Sequence, residues 1–291
     1  MRWGGTAILA LLLGTLASAE NGASPKVLIP LIVTDSHQRL VSGLTPASLL
    51  ISEQKTLVTE VSLLHGADLP LELGLVIDTS SSAQNDGNFK EILGGAKDFV
   101  NDIVRGPEDR IFFLTFATKT EATGWLKKEQ LGGVSLNVKM GGGTALYDSV
   151  AIACRERMGA RDWNKPTRRV LIVISDGDDN LSHITRDDAA SEALKSGVVM
   201  FTLSTRMSGN RVRGERILEY WARVTGGEFF TSLTRKEIPK VFARIKEMSD
   251  GMYYASYVPP ASNNRVHEIE VKPAPKGKLE VSYPRRYVWL Q

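Results

Sequence analysis

The sequence predicts an α/β fold: a doubly wound, mostly parallel sheet with helices on both faces, inserted into a small β-sandwich formed by both termini. Three observations lead there. Two runs, LELGLVID (71 to 78) and VLIVISD (170 to 176), are apolar almost throughout, as strands buried on both faces must be. From Leu71 to about Asp250, apolar strand-like runs alternate with amphipathic helical ones. Short β-rich segments with polar or Pro/Gly breaks lie on either side of that alternation, too few on each side to bury a core alone.

Taken in order, the first residues MRWGGTAILALLLGTLASAE join a basic Arg2, an apolar stretch from Ala7 to Leu13, and small Ala17 and Ala19 where a signal peptidase cuts. That is the pattern of a secretory signal over residues 1 to 19. No cysteine stands at the cleavage point, so the pattern is not that of a lipoprotein. No later window reaches about 18 apolar residues, so the mature chain is expected to lack a stable membrane span and to be exported, to the periplasm or beyond the cell. KVLIPLIVTD (26 to 35) and LVTEVSLLHG (57 to 66) form an N-terminal β segment over 20 to 68.

The α/β domain is expected over 69 to 250. After the first central strand, Phe89, Ile92, Leu93, Ala96, Val100 and Ile103 recur at helical spacing until Gly106-Pro107 stops them. IFFLTFA (111 to 117) is the next strand. The stretch to Leu126 follows too closely for a crossover helix and turns back as an antiparallel edge strand. Leu146, Val150, Cys154 and Met158 share one face of a helix. After the second central strand come a strand at 198 to 205, a helix with Ile217, Leu218, Trp221 and Val224 on one face, a last strand in GGEFFTS, and a helix marked by Ile238, Val241, Phe242, Ile245 and Met248. MYYASYV, VHEIEV, KLEVSYP and RRYVWL make the C-terminal β segment, 251 to 291, which packs with the N-terminal one.

Composition excludes some classes of function. With 291 residues, 42% of them hydrophobic and 24% charged, the chain is ordinary globular protein. The formal net charge of +3 falls to +2 without Arg2, and there is no block of five like charges, so nothing points to nucleic acid or an acidic membrane surface. The single cysteine, Cys154, cannot form an internal disulfide, and export makes an exposed thiol a liability; it is expected against the sheet.

The chemistry gathers where the central strands end. In an open α/β sheet, ligands bind outside the carboxyl ends of strands, at the point where neighbouring crossovers leave to opposite faces. Asp78 ends one buried strand, followed by Thr79, Ser80, Ser81 and Ser82; Asp176 ends the other. Each aspartate taken singly also reads as an ordinary helix or turn cap. The glycine-rich MGGGTALYDS (140 to 149) adds Thr144, which also reads as an N-cap, though its capping-box position three residues on is Tyr147 rather than Glu or Gln, so its hydroxyl is not strongly claimed locally. Two carboxylates and three neutral hydroxyls, Ser80, Ser82 and Thr144, are hard oxygen ligands of the kind that suits Mg²⁺ or Mn²⁺.

Asp78-x-Ser80-x-Ser82, Thr144 after a glycine run, and Asp176 in ISDGDDN together resemble the metal-ion-dependent adhesion site (MIDAS) of von Willebrand factor type A (VWA) domains. The chain also resembles an exported bacterial family of VWA-related proteins along nearly all its mature length, from IVTDSHQRLVSGLTPASLLISEQ to YYASYVPPASNNRVHEIEVKP. The opening departs from that family's pattern, with Ser48-Leu49 and Glu53-Gln54 where an Asp-Phe pair and an Asp-Gly turn are usual. The resemblance implies Ser80, Ser82 and Thr144 as direct or near-direct metal ligands, Asp78 and Asp176 as ligands directly or through water, and an acidic group of a protein or peptide partner completing the shell.

Asp148, Asp178 and Asp179 lie close to these loops in sequence and read as hydrogen-bond acceptors around the site or as solvated loop charges rather than ligands. His37, His65, His183 and His267 show no zinc spacing and read as surface or satisfied histidines. The expected function is an exported binding module and not an enzyme. The competing reading is a metal-dependent hydrolase or phosphoryl-transfer enzyme using the same site, which lacks a placed general base.

Overall fold

Two apolar strands side by side, β5 (Leu71–Asp78) and β8 (Arg168–Ser175), form the centre of the molecule, with every residue of both buried. The structure, a computed structural model, describes residues 26–85, 88–134, 141–206, 213–274 and 278–289; the signal segment 1 to 19 lies outside them. In chain order the preceding strands are β1 (Val27–Asp35), β2 (Leu49–Glu53), β3 (Thr56–Leu57) and β4 (Ser62–His65). After β5 come α1 (Ser81–Asn85), α2 (Phe89–Ile103), β6 (Arg110–Phe116), β7 (Thr120–Ala122) and α3 (Leu146–Ile152). Beyond β8 follow α4 (Arg186–Ser196), β9 (Val199–Ser204), α5 (Arg213–Thr225), β10 (Phe229–Phe230), α6 (Ile238–Gly251), β11 (Tyr253–Tyr257), β12 (Val266–Pro273), β13 (Leu279–Ser282) and β14 (Arg286–Val288).

The six-stranded sheet runs β10-β9-β8-β5-β6-β7, parallel except for β7, which turns back on β6. Alternation along β5 sends Leu73, Leu75 and Ile77 to one face, against Ile92, Phe99 and Val100 of α2 and Phe242 and Ile245 of α6. Val76 goes to the other, with Leu146 and Val150 of α3, Ala193 of α4 and Trp221 of α5. The chain therefore leaves β5 toward β6 over one face and β8 toward β9 over the opposite one. In open sheets of this kind, the carboxyl ends of strands at such a reversal are where ligands bind.

Two further four-stranded antiparallel sheets, β13-β1-β11-β4 and β14-β12-β2-β3, mix strands from both ends of the chain. They pack as a sandwich: Val27, Ile29 and Leu31 of β1 and Tyr257 of β11 face Ile51 of β2 and Ile269 and Val271 of β12. The opposite face of β1 presents Leu28 and Ile32 to the α/β core, so the sandwich and the parallel sheet share buried surface.

The elements depart from the sequence-based expectations in several places, among them strand β2 and the short helix α1, which were not expected. The helix bearing Leu146, Val150, Cys154 and Met158 is α-helical only to Ile152 and widens to a π turn over Ala153–Met158; Cys154 is still buried against the sheet. The last strand of the parallel sheet shrinks to two residues, Phe229–Phe230. Helix α4 was not anticipated, because its buried face is made of alanines, Ala189, Ala190 and Ala193, which give little apolar periodicity. Its ends were signalled all the same, by Thr185 capping the Asp188 N–H and by Gly197 in the left-handed region.

Candidate metal centre

Asp78 is the last residue of β5 and has no exposure to solvent. Its Oδ1 accepts the Ser80 N–H at 2.9 Å, closing a short aspartate turn, and its Oδ2 accepts the Ser175 hydroxyl at 2.6 Å from the neighbouring strand. Thr79 turns away, donating its N–H and hydroxyl to the Phe116 carbonyl of β6. The alternation of the turn thus leaves Ser80 and Ser82 together, their hydroxyls 3.2 Å apart, with Ser80 buried and Ser82 exposed at the mouth.

The glycine-rich loop is tied to this turn. The Gly141 N–H donates to the Thr79 carbonyl at 2.9 Å and the Gly142 N–H to Ser81 Oγ at 3.1 Å. Gly142 has φ +91, and a β-carbon there would lie 2.3 Å from Thr118 Oγ1, so only glycine fits. Thr144 follows, buried, with its N–H donating to Asn180 Oδ1 and its carbonyl accepting from the Asn180 and Leu181 N–H groups. Ala145, not Thr144, is the residue that precedes α3. Among the described residues the Thr144 hydroxyl makes no hydrogen bond.

Asp176 stands one residue beyond β8, also fully buried. Its Oδ1 accepts the Asp178 N–H at 3.0 Å, and its Oδ2 lies 3.3 Å from Arg206 Nη2. The turn depends on Gly177, at φ +82, where a β-carbon would lie 2.2 Å from the Gly214 carbonyl oxygen at the start of α5. Gly177→Ala is therefore expected to cost about 1–3 kcal/mol, combining overpacking with backbone strain. A urea titration checks it.

Of the five residues singled out in the sequence, Asp78, Ser80 and Ser82 form one turn, Thr144 comes from the loop bonded to that turn, and Asp176 follows Ser175, whose hydroxyl holds Asp78. Burial pushes the Asp78 carboxyl up to about 6, against the hydrogen bonds of Ser175 and Ser80, and the nearby Asp176 adds to the rise. Among the described residues no group of three or more His, Cys, Asp or Glu could hold a metal. A cation here would take hydroxyls and water beside two carboxylates, a donor set that fits a small hard dication.

The neighbouring carboxylates are spent on the loops. Asp148 accepts the His183 and Ile184 N–H groups and pairs with His183 Nδ1 at 2.9 Å; Asp179 accepts the Tyr147 N–H and the Ser182 hydroxyl. Sequence reasoning missed Ser175, Asn180 and Arg206. Ser175 was hidden inside an apolar run, though strand alternation could have placed it toward its neighbour. Arg206 stands two residues past the end of β9, at the same sheet edge.

The von Willebrand factor type A domain model matches residues 72–244. Among solved structures, proximal thread matrix protein 1 from the mussel byssus is similar at 20% identity, with a TM-score of 0.50, over 76% of this chain and 50% of that one. Another structure of the same mussel protein, with a zinc-occupied MIDAS motif, is similar at 22% identity and a TM-score of 0.50, over 67% of this chain and 49% of that one. The chain thus spans about half the length of these mussel structures. A von Willebrand factor type A protein from Catenulispora acidiphila is similar at 13% identity and a TM-score of 0.50, over 91% of this chain and 74% of that one. At these identities the likeness is one of fold. Comparison with the curated proteins finds no match.

Proposed function

Because the chain belongs to the von Willebrand factor type A domain family, we propose that it is an exported binding module in which Asp78, Ser80, Ser82, Thr144 and Asp176 hold a Mg²⁺ or Mn²⁺ ion. An acidic group of a protein or peptide partner completes the site. The observation that carries this reading is Asp78, a carboxylate with no exposure and no cationic partner among the described residues, set among hydroxyls at the strand ends. A buried carboxylate without a counter-ion is costly, and an arriving cation relieves that cost. When bound, the ion supplies an open coordination position that an outside carboxylate can take.

The chain's own residues do the rest. Ser175 and the Ser80 N–H fix the orientation of the Asp78 carboxylate, and the Gly141 and Gly142 bonds bring the loop of Thr144 onto the Asp78 turn. The zinc-occupied motif of the mussel protein supports a dication on loops of this fold. The signal-like residues 1 to 19 support export to the periplasm or beyond, and among the described residues no helix is long and apolar enough to cross a membrane.

Melting the protein in EDTA and in excess Mg²⁺ or Mn²⁺ tests the reading. Binding to the native state is expected to add about 2.7 kcal/mol of stability when the metal stands at a hundred times its dissociation constant. No rise, or a rise that survives Asp78→Ala, removes the metal site. Metal-stimulated phosphatase or esterase turnover lost in the same variant would replace the binding module with a hydrolase. A chelator-sensitive pull-down from envelope extract identifies the partner.

A further inference from the structure

The two buried carboxylates at the strand ends are not equivalent. Asp78 is held by hydroxyl and amide donors alone, whereas Asp176 has a guanidinium on it. Arg206 Nη2 lies 3.3 Å from Asp176 Oδ2 and 2.6 Å from Asp178 Oδ2, and Arg206 Nε lies 3.4 Å from the Asp176 carbonyl oxygen. The base of this arm is fixed too, since the Arg206 N–H donates to Ser204 Oγ at 3.2 Å. Because Asp176 is out of water and the Arg206 side chain is only 23% exposed, the contact differs from solvated ion pairs, whose worth is near zero.

Both oxygens of Asp176 are engaged, Oδ1 by the Asp178 N–H and Oδ2 by Arg206. The Oδ1 bond belongs to the turn itself and does not involve Arg206. Oδ2 becomes available to another cation only when Nη2 leaves it. Asp178 makes that exchange easy: its side chain is 51% exposed, and it already holds the same Nη2 at the shorter distance. The guanidinium can give up Asp176 and keep an anion.

Resting on the metal-site reading above, we propose that Arg206 is a built-in counter-cation that occupies Asp176 in the metal-free protein and competes with metal for it, so that Arg206 sets the metal affinity of the site. A positive charge a few ångströms from a divalent ion opposes its entry, and at a protein surface this repulsion is large compared with thermal energy. Asp178 serves as the second berth for the displaced guanidinium rather than as a metal ligand.

The test is a calorimetric titration of Mn²⁺ into the parent chain, Arg206→Gln and Arg206→Lys, with melts of all three in EDTA. Arg206→Gln is expected to bind Mn²⁺ at least about tenfold more tightly than the parent, as loss of one unit charge beside a divalent ion predicts. Arg206→Lys, which keeps the charge and loses the two-pronged hold, falls between them. In EDTA the order reverses, Arg206→Gln melting lowest because Asp176 has lost its partner. Added salt narrows the difference in affinity. If Arg206→Gln does not fold, the lysine variant decides: tighter binding than the parent supports the proposal, and equal or weaker binding overturns it. Parent binding with no gain in Arg206→Gln overturns the competition and leaves the metal site standing. No binding by any of the three overturns both.

Discussion

Asp78→Asn is expected to raise the melting temperature of the metal-stripped protein at pH 7.5 while abolishing its response to Mg²⁺ or Mn²⁺. The sign follows from burial. The folded Asp78 carboxyl is raised to about 6, so its favourable contribution is complete below its ordinary value near 3.8 and is lost as the pH climbs through 6. At pH 7.5 the folded chain therefore carries a buried negative charge at a cost of about 3 kcal/mol relative to the unfolded one. Asparagine never ionises. It accepts with one atom where aspartate accepts with two, so the net gain is about 1–3 kcal/mol, or several degrees in a chain of this size. Melts in EDTA at pH 7.5 and pH 4.5 check it: the advantage should shrink toward zero at the lower pH, where the parent carboxyl is protonated. The parent's metal response should shrink over the same range, since proton and metal compete for one group. A variant less stable than the parent at both pH values would show that hydrogen bonding by the ionised carboxylate outweighs its desolvation.

That prediction depends on a residue the sequence advertised. Asp78 and Asp176 are conspicuous because each interrupts a run buried on both faces, and the parallel pairing of their strands follows from the same apolar character. The hydroxyls of Ser80 and Ser82 are legible for a related reason, as a polar cluster at the end of an interior strand. What escapes is whatever the chain achieves with unremarkable residues. Ser175 reads as one more strand position, yet its hydroxyl bridges Asp78 and the Gly177 N–H. Arg206 reads as a loop charge because nothing local says that its neighbour in space is Asp176. Helix α4 packs alanines, and a small side chain buries well without marking its face in the sequence. The terminal strands show the same limit: VHEIEV alternates as a strand should, but only the fold reveals that Glu53, read as part of a turn, lies at the centre of the sandwich.

Replacing that Glu53 with alanine is expected to cost about 3–5 kcal/mol, the usual penalty for removing one member of a buried, hydrogen-bonded pair. Glu53 has no exposure. Its Oε2 accepts the Tyr257 hydroxyl at 2.7 Å, both its oxygens lie 3.0 Å from the Tyr287 hydroxyl, and its Oε1 lies 2.5 Å from His267 Nδ1. On its far side His267 Nε2 meets the Asn264 carbonyl at 2.9 Å, which can only accept, so the ring is fixed in place at both nitrogens. Burial, reinforced by the Glu53 carboxylate, holds both phenols protonated and therefore in need of an acceptor. Alanine strands the Tyr257 hydroxyl in a cavity between the two sheets and leaves the Tyr287 hydroxyl and His267 Nδ1 only each other, 3.1 Å apart, whereas Glu53→Gln keeps one carbonyl oxygen and should lose about 1–2 kcal/mol. Urea titrations of the three proteins measure the difference, and a loss below about 1 kcal/mol in Glu53→Ala would mean that apolar packing alone holds the sandwich. The shape of the transition carries further information. Leu28 and Ile32 on the reverse of β1, and Tyr254 of β11, belong to the core that includes β5 and α6. Loosening the sandwich should therefore lower a single transition of the whole chain, and the metal response of the strand-end site should move with it. An early sandwich transition that leaves the metal response untouched would show instead that the terminal strands fold as an appendage.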